Sequence, residues 1–239
     1  MKIGIIADIH NNVLALESVL TYLESANCDE VICCGDIIGI GPYPEETVQK
    51  IMAIPHLKTV LGNHEKYLIA GLVPPFIEGM SDGEVEHHQW EHSILSESSK
   101  KYIQALPRKL ELKRKGYNIL VMHYAMDENE DFITTEGSAD LELYENLFSK
   151  NEADIVIFGH RHEGAFYQTA TKMFINPGSL GCPHKLQGIA RGGILEIDDN
   201  GARYESFETV YNLSELLHTV DALHYPDFKF IKNVFYGMS

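Results

Sequence analysis

Residues 2–63 alternate short apolar runs with stretches of helical periodicity, and this alternation restricts the fold more than any other feature of the chain. "KIGIIAD" is a continuous apolar run, the pattern of a strand covered on both faces. "NNVLALESVLTYLESA" follows, with Leu14, Val19, Leu20 and Leu23 at helical spacing and Asn11 or Asn12 placed to cap it. "EVICCGD" predicts the second strand, "YPEETVQKIMAI" the second helix and "LKTVLGN" the third strand. A βαβαβ order of this kind implies a layered α/β fold with right-handed crossovers.

The pattern breaks from Leu72 to about Ser99. "VPPF" and "EGMSDGE" are rich in turn residues, and "EVEHHQWEHSILSE" then has the composition of a helix. Residues 72–99 are therefore expected to form a cap inserted within a single domain spanning 1–239. "KLELKRKGYNILVMHY" predicts a hairpin turning at Lys115-Gly116. "SADLELYENLFSK" reads as a helix, "DIVIFGH" as a buried strand, and the following segments to "RYESFETV" mostly as strands. A short helix around Leu213 to Val220 and the aromatic stretch "YPDFKFIKNVFYGMS" come last.

Composition narrows the class. Hydrophobic residues make up 44% and charged ones 23%, the balance of an ordinary globular chain. No apolar run approaches the roughly 18 residues that span a bilayer. The run in "MKIGIIADIH" is too short for a signal peptide and ends in Asp8 and His10, so a cytoplasmic protein with no membrane partner is expected. Four cysteines lack CxxC spacing and predict buried free thiols, with adjacent Cys33 and Cys34 on opposite faces of a strand. A net charge of −16 argues against a nucleic-acid polymer as partner. It would also repel an anionic substrate unless local cations offset it, and the twelve histidines indicate where cations could sit.

The polar residues cluster at predicted strand ends. Strand one ends in Asp8 and His10, strand two in Asp36, strand three in Asn63 and His64. The hairpin delivers His123, and "VIFGHRH" delivers His160 and His162. Ligands of open α/β sheets gather at the carboxyl ends of strands. Asp8 and His10 are two apart and should point the same way on an extended chain, as should His160 and His162. Each piece alone has a plain explanation: a lone histidine on an apolar strand is usually a satisfied core residue, and "GNHEKY" is an ordinary turn before a helix. Their joint occurrence at five strand ends makes independent structural roles improbable. Oxygen and imidazole ligands without sulfur suit Mn, Fe or Zn in open sites. Seven ligands exceed the needs of one ion, and two ions sharing a carboxylate is the economical solution.

In this order, D-x-H (Asp8, His10), G-D (Gly35, Asp36), G-N-H-E (Gly62 to Glu65), a later His123 and G-H-x-H (Gly159 to His162) resemble the calcineurin-like metallophosphoesterase superfamily. The resemblance runs from Lys2 to about Ile197, and "INPGS" (Asn176 to Ser179) is similar to a loop of its bacterial branch. It implies an α/β fold of four layers: a two-sheet β-sandwich flanked by helices, with a small helical insertion. It further implies that Asp8, His10, Asp36 and His162 hold one metal, and that Asp36 bridges to a second held by Asn63, His123 and His160. The cofactors implied are two divalent or mixed-valence transition-metal ions, with Mn or Fe favoured over Zn. Two such ions lower the pKa of a shared water and present hydroxide at neutral pH. His64, the histidine left out of the ligand set, is then the candidate general acid. Glu65 either orients it or starts a helix.

Departures from the family pattern bear on substrate. Ser/Thr protein phosphatases of the superfamily carry G-D-x-V-D-R-G, whereas this chain reads "GDIIGIGPYP" without the arginine. "NPGSLGCPHK" places Cys182, His184 and Lys185 where many relatives have Pro-Arg. Alternation would turn Arg161 away from the metals. In "EVEHHQWEH", Glu84, His88 and His92 share a helix face, either as a third metal site or as a solvated amphipathic face. A further possibility has His88 or Trp90 lining the substrate entrance and stacking on a base. The resulting expectation is a dinuclear phosphoesterase acting on a small phosphodiester or phosphoanhydride, such as a dinucleoside polyphosphate or a cyclic nucleotide. The alternatives are a phosphomonoesterase or protein phosphatase, or a metal-binding scaffold without turnover.

Overall fold

The structure is a computed structural model and describes residues 1–74, 76–133, 138–183 and 187–237. Two five-stranded sheets form its centre. The first contains β1 (Lys2–Ile6), β2 (Glu30–Cys33), β3 (Leu57–Thr59), β9 (Ile189–Asp198) and β10 (Gly201–Val210), in the order β10-β9-β1-β2-β3. The second contains β4 (Lys109–Arg114), β5 (Tyr117–Met122), β6 (Ile155–Ile157), β7 (Ala165–Gln168) and β8 (Met173–Asn176), in the order β4-β5-β6-β8-β7. β1, β2 and β3 are parallel, as are β5, β6 and β8. The remaining pairings are antiparallel.

The apolar runs divide between three cores. Ile3, Ile5 and Ile32 of the first sheet pack with Val121, Ile155 and Ile157 of the second, closing the sandwich. Leu16, Val19 and Leu23 of α1 (Val13–Ser25) and Val48 and Ile51 of α2 (Pro44–Met52) cover the outer face of the first sheet. Tyr144 of α6 (Leu141–Leu147), with Phe148 beyond its C-terminus, covers Val156 and Phe174 on the outer face of the second. Helices thus flank a two-sheet sandwich. Cys33 faces the helical core and Cys34 the inter-sheet core, as their adjacency predicted. All four thiols are free; Cys33, Cys34 and Cys182 are buried as expected, whereas Cys28 is half-buried.

Local signals explain most elements. Asn12 caps α1, accepting a hydrogen bond from Ala15 N at 3.0 Å. The hairpin turns at Lys115 and Gly116, with φ of 48° and 94°. α3 (Asn63–Ala70), α4 (Asp82–Ile94) and α5 (Glu97–Gln104) follow the first sheet's parallel strands. α7 (Leu213–Leu223) runs three residues beyond the expected end, and α8 (Phe228–Val234) makes a helix of the aromatic stretch. "SILSE" was expected inside one helix, yet the chain breaks there. Leu95 is extended, and Ser96 caps a new helix by accepting from Ser99 N.

Candidate metal centre

Turns, not strand alternation, aim the predicted ligands. β1 stops at Ile6 and β6 at Ile157, so the polar residues lie beyond the extended backbone. Asp8, His10, Asp36 and His160 all take left-handed conformations, with φ of 53°, 51°, 51° and 70°. The same-face argument for Asp8 with His10 and for His160 with His162 therefore fails, because it applies only to extended backbone. Each such residue stores roughly 1–3 kcal/mol and persists only where its surroundings fix it. Here the β1 and β2 loops fix each other: Ile9 N and His10 N both donate to Asp36 O, at 2.8 and 3.1 Å.

Despite that difference, all eight predicted side chains converge. The ligand atoms of Asp8, His10 and His162 lie within 4.8 Å of one another, and so do those of Asp36, His123 and His160. Asn63 Oδ1 stands 3.0 Å from His123 Nε2 and 3.1 Å from His160 Nδ1. Asp36 Oδ2 sits between the groups, 4.0 Å from His10 Nε2, 3.3 Å from His123 Nε2 and 3.9 Å from His64 Nε2.

The tautomers show what this arrangement fits. His10 Nδ1 donates to Ile38 O at 3.2 Å, His162 Nδ1 to Cys182 O at 3.1 Å and His123 Nδ1 to Cys34 O at 2.8 Å. A carbonyl can only accept, so each Nδ1 carries a proton, and a neutral ring then turns its Nε2 lone pair inward. With both rings neutral, His10 Nε2 and His162 Nε2 face each other at 3.0 Å with no hydrogen between them. Two opposed lone pairs repel, and a cation between them removes the conflict. Carbonyl-fixed imidazoles with carboxylate and amide oxygens form a donor set for first-row divalent ions.

Electrostatics set the charge of each group. Burial raises the Asp36 pKa, but the charges of His123 and His64 outweigh it and hold the carboxyl well below its ordinary range. Burial pushes His10 well below 6.5 and His160 to about 4. It pushes Asp8 up to about 6, against the pull of His123 and His162. Burial also disfavours charge on His123, yet Asp36 wins and carries it up to about 9, so a metal there would displace a proton.

His64 opens α3 beside this group. Its N–H donates to Asp36 Oδ1 at 3.1 Å, and its ring meets His10 edge-on at 5.0 Å. Gly39, with φ of 94°, packs on the imidazole, and a Cβ there would collide with His64 Nδ1. Burial lowers the His64 pKa to about 4. Gly62 is required for a similar reason, since a Cβ would strike Asp36 Oδ1. The Gly-Asn-His turn is tight because the loop of β2 passes directly against it.

The Glu65 carboxylate hydrogen-bonds to backbone and not to the His64 ring. It is fully buried and accepts four backbone N–H groups, from Asp36, Ile37, Ile38 and Gly62, at 2.7–3.0 Å. Burial and the Asp36 charge push its pKa up to about 7, against the lowering effect of the backbone donors at Ile38 and Gly62. It clamps the metal-binding turn of β2 to the start of α3.

α4 supplies residues that the sequence reading left out. Glu91 is fully buried and accepts hydrogen bonds from Asn11 Nδ2 and Gly39 N. His87 Nε2 accepts from Ile40 N at 3.1 Å. The solvated-face expectation is thus incorrect: His87, His88 and Glu91 form the buried side of the helix. Glu84 is exposed, and His92 groups with His88 and Glu91 instead. Trp90 stacks on Tyr225 at 4.7 Å and 13° and does not line the cavity at the centre, whereas His88 does. His184 and Lys185 lie outside the described residues.

Comparison with known proteins identifies relatives of the chain and of its fold. An uncharacterized protein of Methanocaldococcus jannaschii is 25% identical over 246 residues, covering 94% of both chains. A phosphodiesterase of the same organism is 25% identical over 201 residues, 83% of this chain and 94% of that one. The fold matches the crystal structure of a hypothetical protein from Pyrococcus horikoshii with a TM-score of 0.82 at 19% identity, covering 100% of this chain and 99% of that one. It matches a metallophosphoesterase from Sphaerobacter thermophilus with a TM-score of 0.75 at 20% identity and the same coverage. The family model of the calcineurin-like phosphoesterase superfamily domain matches residues 1–200, and the chain belongs to that superfamily of metal-dependent phosphoesterases.

Proposed function

We propose that the protein hydrolyses a phosphodiester or phosphoanhydride bond of a small nucleotide-like substrate, using two transition-metal ions and a histidine acid. Asp8, His10 and His162 would hold one ion, Asn63, His123 and His160 the other, and Asp36 would serve both. The single observation behind this reading is the pair of opposed imidazole lone pairs beside a carboxylate positioned between two ligand groups. When bound, two such ions supply a nucleophile at neutral pH and neutralise phosphate oxygens as charge builds. Mn or Fe suits the nitrogen and oxygen donors.

The chain's own residues do the rest. Asp36 and Glu65 fix the turn that aligns the two ligand groups. His64 buries Nδ1 against Gly39 and turns Nε2 towards the centre, where it donates a proton to the leaving oxygen. A phosphate anion beside it favours the imidazolium against the effect of burial. Residues 72–99 act as a cap, with α4 pressed on the β2 loop through Glu91 and His87. No helix among the described residues is long and apolar enough to cross a membrane. Unpaired buried thiols fit a reducing compartment such as the cytoplasm. The acidic net charge fits a small substrate better than a nucleic-acid polymer.

Bis(4-nitrophenyl) phosphate should be hydrolysed with added Mn²⁺ and not after chelation. His64→Ala should keep its metal and lose roughly 10²–10⁴-fold in rate, the usual contribution of general acid catalysis. The loss should be greatest on esters with poor leaving groups. Loss of metal from this variant would make His64 a ligand and refute its assigned role.

A further inference from the structure

The cavity at the metal centre has two chemically different walls. One carries His10, Asp36 and the other candidate ligands. The other comes from α4 and α8: Phe230, Ile231 and Phe235 are apolar, and Glu84 and Asp227 are acidic. Phe230 is 55% exposed although it borders a cavity of about 220 Å³. Asp227, at φ 63°, is held against α4, where a Cβ on Gly83 would come within 2.8 Å of its carboxylate. His88, 1% exposed, lines the same cavity, and its Nε2 has no hydrogen-bond partner among the described residues. Residues 227–235 lie beyond the family match to residues 1–200, so family membership does not determine the α8 part of this wall.

We propose that the outer wall is the subsite for the organic part of the substrate, and that it takes a flat heteroaromatic ring bearing N–H donors, as in a nucleoside monophosphate ester. This rests on the phosphoesterase reading above. An aromatic and aliphatic surface gains from covering a ring face, and base-to-aromatic contact is a recurrent source of nucleotide affinity. Two carboxylates at the rim accept from ring amino groups. The buried His88 Nε2 offers one further polar contact. A second phosphate at this wall would meet Glu84 and Asp227, and among the described residues no Lys or Arg lines the cavity to offset them. A quaternary ammonium group is served by several ring faces around it, whereas here the aliphatic Ile40 and Ile231 stand beside the phenylalanines. Of the small phosphoesters considered above, those with one phosphate per base are favoured over polyphosphates.

Calorimetric titration of the metal-loaded full chain with product-type ligands tests the subsite without relying on turnover. Adenosine 5′-phosphate should bind at least about tenfold tighter than ribose 5-phosphate, in line with stacking of one base. Phe230→Ala and Asp227→Asn should each reduce that ratio to about threefold or less, with circular dichroism confirming that both variants fold. Equal binding of the two ligands, a preference that survives both substitutions, or phosphocholine binding as tightly as adenosine 5′-phosphate would overturn the proposal. Ribose 5-phosphate binding without adenosine preference would leave the phosphoesterase reading intact. Absence of binding by either ligand, with no hydrolysis of bis(4-nitrophenyl) phosphate, would refute both.

Discussion

The Nε2 atoms of His10 and His162 stand 3.0 Å apart, each ring anchored through Nδ1 to a backbone carbonyl. His10 follows β1 of the first sheet and His162 follows β6 of the second, so this contact joins the two halves of the sandwich. A cation at the contact ties the sheets together, and without one the repulsion falls on the fold. Chelation should therefore destabilise the protein. At a metal concentration of 100 times Kd the linkage is about 2.7 kcal/mol, or roughly 5–11 °C in Tm for a chain of this size. Calorimetric melting with and without chelator checks this, and an unchanged Tm would contradict it.

Glu65 gives a second prediction. Its two oxygens accept N–H groups from Asp36, Ile37, Ile38 and Gly62 in a fully buried setting. Glu65→Ala leaves four buried donors unpaired, at roughly 1–3 kcal/mol each before relaxation. Urea unfolding should show a loss of at least about 4 kcal/mol, with a smaller loss for Glu65→Gln, whose amide keeps one acceptor oxygen. A loss below about 1 kcal/mol would mean that the turn is held by other contacts.

The fold and the candidate centre were legible to different degrees, for physical reasons. Continuous apolar runs such as "KIGIIAD" reveal doubly covered strands because both faces must be buried, and the layered α/β order followed from them, whereas the two-sheet sandwich was implied by the family resemblance. The strand-end Asp, Asn and His residues could be listed because order along the chain survives folding. Their orientation could not, because Asp8, His10, Asp36 and His160 adopt φ above zero, and period-2 reasoning applies only to extended backbone. Glu91 was hidden for another reason. Its partners Asn11 and Gly39 are 80 and 52 residues distant, and a charged residue on a polar helix gives no local sign of burial.

His92 provides a test of pH dependence away from the proposed ligands. Its side chain is 16% exposed, and burial lowers its pKa from 6.5 to about 4 despite the nearby Glu91 carboxylate. Between those values the unfolded chain binds a proton on this imidazole that the folded chain does not. Its stabilising contribution is therefore complete above about pH 6.5 and lost as pH falls towards 4. Compared with His92→Gln, the wild type should lose up to about 3 kcal/mol across that window. Parallel pH profiles for the two proteins in urea unfolding would refute the assignment.

The central claim is that two metal ions sit between the sheets with Asp36 shared. Elemental analysis of the purified protein, beside His162→Ala and His123→Ala, tests it most directly. The account predicts close to two transition-metal ions per wild-type chain and about one in each variant, with a different ion lost in each. A wild-type chain holding one ion or none after loading with Mn²⁺, or variants that still hold two, would contradict it.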